Sequence, residues 1–367
     1  MSEQTLRHQG LDLLRLLSVV MVIGIHTAGG YFIGEASLAE RWQAAPWYAL
    51  SVGAVPLFVM MSGAFMLSSE RQIGSLAHFY KRRVGRKILL PLVVWSVGYY
   101  FWHCAKEQTW LAFQWYHLWY LVMLAGLYVV TPMLRWLCER IERSDSPTYG
   151  GNRGLLILTL GSYLVALTID VYYRSYDVRQ VCLLWWVQYL PYFLAGHLLA
   201  RTSSRLPGRG WLLILFIGSM LLHGALLIYV PYQLLERVGV NFQPLVILKV
   251  LSLFALCYSW RPKGRLLVSA STLYPYVMGI YLVHFAVLQV VFKLFELFLP
   301  TVTACLVVSL PPAHPAHCAH LARGHRLDAQ GAPTATACLE EKPSQEGNDF
   351  VSLRSNQSIE QTEYIYV

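Results

Sequence analysis

Residues 11–32 read LDLLRLLSVVMVIGIHTAGGYF, a long apolar stretch interrupted by an arginine at 15 and a histidine at 26. A transmembrane helix needs about 20 apolar residues, and this run has that length. Arg15 and His26 stand eleven residues apart. At about 100° per residue that is three turns plus roughly 20°, so both side chains share a face, roughly 16 Å apart along the axis. An ionisable group inside a bilayer costs roughly 2.5–3.5 kcal/mol on insertion scales, which makes it a functional-site candidate by default. Two on one face imply a polar cavity running part-way through the membrane. The structural alternative is an arginine snorkelling to the inner headgroups and a histidine bonded to a neighbouring helix. Spacing alone leaves both readings open.

The rest of the chain extends the pattern. Charged residues are 13% of the 367 and apolar or aromatic ones 56%, in blocks rather than alternating. Soluble domains carry about 25% charge. The expected fold is all-α, a polytopic bundle of membrane helices. The net charge of +9 falls in short Lys/Arg clusters between apolar blocks. That distribution suits cytoplasmic loops beside anionic lipid and argues against nucleic acid as a partner. Seven cysteines show no CxxC spacing and behave as small hydrophobes. Asp12 and Arg15 interrupt the start of the first block, so it reads as an uncleaved helix rather than a signal peptide.

Nine blocks are long enough to cross a bilayer: 11–33, 45–67, 88–104, 115–137, 154–173, 182–200, 211–232, 243–260 and 272–298. A tenth, TVTACLVVSL at 301–310, stops at Pro311-Pro312. Nine to ten transmembrane helices are therefore expected. One set of alternate segments holds 18 Lys and Arg against 6 in the other, which places the amino terminus in the cytoplasm. Arg15 then lies near the inner face and His26 towards the outer one. Residues 1–310 form the expected membrane domain. Residues 311–367, opening PPAHPAHCAHLARGH, have the composition of a disordered tail that replaces the rest of a tenth helix.

Several groups could carry chemistry. FYKRRVGRK at 79–87 joins the second and third blocks on the cytoplasmic side. On an α-helix Arg83 and Arg86 share a face, with Arg82 and Lys87 adjacent. Guanidinium forks bind phosphate oxygens bidentately, so the cluster suits a phosphorylated ligand; it suits lipid phosphates equally. His117 opens the fourth span in WYHLWYL, and His284 lies within the ninth in GIYLVHF. With His26 they could make a metal site, but no histidine pair stands at i, i+4, and no metal is expected. A neutral histidine in a cavity better suits a general base. Glu35, nine residues beyond His26, could orient an imidazole or simply be solvated. Pro56, Ser62, Gly63, Pro91, Pro132 and Pro275 read as kinks and close helix contacts. No Walker loop, dinucleotide fingerprint or GxSxG is present.

Taken together, the pieces resemble one family. LDLLRLLSVVMVIGIH, with Arg, ten residues and His, is similar to the first helix of the acyltransferase 3 family of membrane-bound acyltransferases. VPLFVMMSGAFML resembles its second helix, and FYKRRVGRKILLPLVVWS its basic turn into the third, including Arg-x-x-Arg at Arg83 and Arg86. YHLWYLVMLAGLYVVTPMLR and MGIYLVHF resemble its fourth-helix and late-helix signatures. WYHLWYL is also similar to the branch that includes enterobacterial common antigen O-acetyltransferase. The resemblance implies a ten-helix enzyme of the bacterial inner (cytoplasmic) membrane that moves an acetyl, or other acyl, group from cytoplasmic acyl-CoA, commonly acetyl-CoA, to a sugar hydroxyl. The acceptor would be a cell-envelope polysaccharide or lipid-linked glycan. It implies that Arg83 and Arg86, beside Arg82, hold the CoA phosphates, and that His26 is the base with Arg15 fixing donor or cavity. Tyr281, His284 and His117 would line the cavity. The broken tenth helix departs from the family pattern. A transporter of an acylated or anionic metabolite is the rival reading, weakened by the lack of an evident repeat between the halves. Membrane lipid is the expected surrounding, and oligomeric state is not legible.

Overall fold

The computed structural model describes residues 9–29, 36–68, 74–107, 116–144, 152–176, 184–235, 238–260 and 272–298. Glu35, the tenth block and the tail 311–367 lie outside the described residues. Among the described residues every regular element is helical. The principal helices are α1 (Gln9–Ala28), α2 (Leu38–Ser51), α3 (Ala54–Met66), α4 (Leu90–Glu107), α5 (Trp119–Ser144), α6 (Arg153–Ser175), α7 (Trp185–Arg201), α8 (Arg209–Tyr229), α9 (Pro244–Ser259) and α10 (Val277–Phe298). Each of the nine apolar blocks contains helix. Six segments are long and apolar enough to cross a membrane by themselves: Gln9–Ala28, Leu38–Met66, Trp119–Ser144, Arg153–Ser175, Arg209–Tyr229 and Tyr274–Phe295. The other three expected crossings fall on α4, α7 and α9, which do not qualify by length and composition; of these, α9 is apolar but short.

The second block contains two helices. Ser37 caps α2, accepting from the Glu40 amide at 3.3 Å while its own amide donates to Glu40 Oε2 at 2.7 Å. At the far end Val52 leaves helical geometry and Gly53 sits at φ +99°, a left-handed conformation that glycine adopts without penalty. The helix resumes at Ala54. The break frees carbonyls at the end of α2, and the buried Lys249 ammonium of α9 donates to one of them, Ala49 O.

Small residues let backbones meet. A Cβ on Gly63 would fall 1.8 Å from the Phe193 carbonyl oxygen, and one on Gly196 would fall 2.0 Å from that of Met60, so α3 and α7 touch main chain to main chain. Gly10 approaches the Cys257 carbonyl in the same way, bringing the start of α1 to the end of α9. Between membrane helices the gain comes from such van der Waals packing rather than from a hydrophobic effect. Large apolar side chains on α6 and α8 point outward: Ile157, Leu164, Ile214 and Leu221 are each 60% or more exposed.

The pairing of α1 with the last described helix sets up the site. Arg15 lies over the Tyr274 ring at 5.9 Å, and His26 lies 5.2 Å from the His284 ring. Contacts advance together along both helices, so α1 and the Tyr274–Phe298 segment run parallel.

Candidate active site

The lower end of the site is Arg15. Its Nη1 donates to Asp12 Oδ1 at 2.6 Å, three residues back on the same face of α1. Asp12 is 3% exposed, so this carboxylate is held inside the protein and satisfied by the arginine. The guanidinium also lies 4.8 Å above the Phe65 ring of α3, a cation–π contact of about 0.5–2 kcal/mol. Arg15 is thus fixed on three sides, by Asp12, Phe65 and Tyr274.

The upper end is a knot of rings. His26 faces His284 and, edge-on at 5.9 Å, Phe285. His284 faces His117 at 4.8 Å, and His117 stacks on Phe285 at 5.6 Å. Tyr99 and Tyr281 close the far side of His117, at 5.1 Å and 5.7 Å. Hydrogen bonds hold the knot. Tyr281 donates its hydroxyl to the His117 carbonyl, and Tyr99 donates to the Leu282 carbonyl at 2.9 Å. His117 Nε2 donates to the same Leu282 oxygen at 3.2 Å, and His284 Nδ1 donates to the Tyr281 oxygen at 2.6 Å. His117 Nδ1 and His284 Nε2 are buried with no hydrogen-bond partner among the described residues. The short turn Tyr116–Leu118 ahead of α5 carries His117 to this place.

The basic run takes a different form from the expected one. Tyr80–Leu89 is π-helical, so the wider turn separates Arg83 from Arg86 instead of stacking them on one α-helical face. Val84 and Ile88 turn inward, Arg83 is half-buried, and Lys81, Arg82, Arg86 and Lys87 are exposed. Here Arg82 and Arg86 form the outward pair. Tyr80 ties this segment to α5 by donating to the Val129 carbonyl at 3.0 Å.

The structure therefore brings His26, His117, Tyr281 and His284 together, and sets Arg15 apart on the same helix as His26. Arg82, Arg83 and Arg86 lie on the π-helical segment. Among the described residues no cluster of three or more His, Cys, Asp or Glu is placed to hold a metal ion. Sequence reading missed Tyr99 and Phe285, which carry no signal beyond being aromatic, and it saw Asp12 only as a break in an apolar run. Lys249, a lone cation inside an apolar block, was readable and was passed over. A cleft of about 420 Å³ lies elsewhere, lined by Glu139, Glu142, Arg143 and Arg201. There His197 and Arg201 bond the two Glu142 oxygens, each at 2.9 Å.

The family model for an acyltransferase domain matches residues 8–313, a stretch that contains every element of this site. The chain belongs to the acyltransferase 3 family. No curated protein and no solved structure matches it. In an acyltransferase, imidazoles with free lone pairs beside a histidine on the first helix are suited to moving a hydroxyl proton, and exposed guanidinium groups are suited to an anionic donor.

Proposed function

We propose that this acyltransferase moves an acetyl group from cytoplasmic acetyl-CoA to a sugar hydroxyl of a cell-envelope polysaccharide or lipid-linked glycan, within the bacterial inner membrane. The observation that carries the reading is the convergence of His26, His117, His284 and Tyr281 at one end of α1, with Arg15 below them on the same helix. The outward apolar faces of α6 and α8 belong in hydrocarbon. The parallel course of α1 and α10 supports nine crossings. With only the six longest segments spanning, α10 would run against α1; with α4, α7 and α9 also crossing, it runs alongside. The charge distribution along the loops favours a cytoplasmic amino terminus.

Arg82 and Arg86, exposed on the π-helical segment, bind the phosphates of CoA, with Arg83 beside them. The pantetheine arm passes Arg15, which Asp12 holds in place, and presents the thioester at His26. His26 takes the proton of the acceptor hydroxyl, and the oxygen attacks the thioester carbonyl. The carbon–sulfur bond breaks and CoA leaves. A positioned base of this kind contributes about 10²–10⁴-fold to rate. Arg15 stays protonated throughout and acts by position and charge. Tyr281 and Tyr99 keep the imidazoles in place.

Transfer of radiolabelled acetyl from acetyl-CoA, in membranes containing the full chain, tests the reading. Label is expected in a lipid-linked or polysaccharide fraction, and His26→Ala is expected to abolish it while CoA still binds. Undiminished label in His26→Ala would remove His26 from the mechanism.

A further inference from the structure

The ring knot contains two nitrogen atoms that the mechanism above leaves unused. A carbonyl oxygen only accepts hydrogen bonds, so the nitrogen facing it carries the proton. Leu282 O therefore fixes the hydrogen of His117 on Nε2, and Tyr281 O fixes that of His284 on Nδ1. In the neutral rings the opposite atoms, His117 Nδ1 and His284 Nε2, are bare lone pairs. Both are buried and unpartnered among the described residues. Leaving a buried acceptor unsatisfied costs about 1–3 kcal/mol, so two of them in adjoining rings call for an explanation.

Of the two, His284 adjoins His26, ring to ring at 5.2 Å, and His117 backs it at 4.8 Å. Two backbone bonds lock His117: its Nε2 to Leu282 and its carbonyl to Tyr281. His284 Nδ1 faces the Tyr281 carbonyl with the Ile280 carbonyl also in reach, and such a bond strengthens when the ring is cationic, because its donor then carries charge. A proton arriving at Nε2 is thus stabilised from the other side of the ring.

We propose that His284 is a second proton carrier of the transfer. Its Nε2 takes from His26, through one bridging water, the proton drawn from the acceptor hydroxyl and delivers it to the departing CoA sulfur. The sum balances: the hydroxyl O–H and thioester C–S bonds break, the ester C–O and thiol S–H bonds form, and both imidazoles end neutral. The inference rests on the acetyl-CoA reading above.

Two variants test it in the same membrane assay. His284→Asn keeps an N–H near the Tyr281 carbonyl but has no basic lone pair beyond it. His284→Ala removes both and opens space for free imidazole. Both are expected to lower turnover about 10²–10⁴-fold with the acetyl-CoA KM little changed. Added imidazole is expected to restore part of the rate to the alanine variant and none to the asparagine variant. Full turnover in His284→Asn would show that only the Tyr281 bond matters and overturn the role. A loss in His284→Ala that imidazole leaves untouched, with KM raised alongside, would do the same by making the residue structural. Transfer lost in His26→Ala but intact in both His284 variants would overturn this inference and leave the acetyl-CoA reading standing. No label from the unaltered chain would overturn both.

Discussion

Asp12 and Arg15 show how a single pair can set the chemistry of a helix. A buried carboxylate is costly unless it is paired, and removing one partner leaves the other's charge uncompensated. Asp12 is the deeper of the two; the Arg15 side chain keeps 24% of its surface exposed. Asp12→Asn should therefore destabilise by about 1–3 kcal/mol, less than for a fully enclosed pair. The measurement is the melting temperature of the detergent-solubilised protein beside its abundance in membranes. Because the arginine also loses its anchor, transfer should fall further than abundance does. His26→Ala should behave in the opposite way, with abundance kept and transfer lost. His26 has aromatic neighbours, and an alanine there leaves Phe285 and His284 still held by their own helix. The shared face of Arg15 and His26 was readable because helical period alone decides it. Which imidazole nitrogen is bare was not, because that depends on which carbonyl of α10 comes within reach.

Among the elements, the π-helical Tyr80–Leu89 and the glycine contact of α3 with α7 carry opposite kinds of information. Nothing local in FYKRRVGRK distinguishes i→i+5 from i→i+4 bonding, so the sequence reading put Arg83 with Arg86, whereas the segment turns Arg82 outward with Arg86. Replacing Arg82 and Arg86 together by alanine should raise the acetyl-CoA KM and leave kcat nearly unchanged; a turnover loss at constant KM would contradict a phosphate role. Gly63, by contrast, reads from the sequence as a close contact, and it lies against main chain that cannot move aside as a side chain would. Gly63→Val should cost about 1–3 kcal/mol or more, seen as lowered abundance and melting temperature. Gly98 meets nothing within 4 Å, and the same change there should be tolerated far better. The apolar blocks were legible because their length and composition announce them. The cut at Gly53 was not; the side chains packed against it, Val250 and Lys249, come from about 200 residues on.

At the scale of the whole molecule, direction is the property to test. Single cysteines introduced in the segments preceding Tyr274 and following Tyr229, in a chain without its native cysteines, can be labelled from one side of sealed vesicles. Nine crossings predict opposite sides for the two; six predict the same side. The break between α2 and α3 has a mechanical consequence for such a bundle. The rod Leu38–Ser51 meets α1 at Gly24, near His26, whereas the rod Ala54–Met66 meets it at Phe65, over Arg15. A continuous helix would act as a lever, passing any tilt at one end straight to the other. Here Val52 and Gly53 interrupt the helical backbone, so the wall beside His26 and the wall beside Arg15 are two helices joined by a turn.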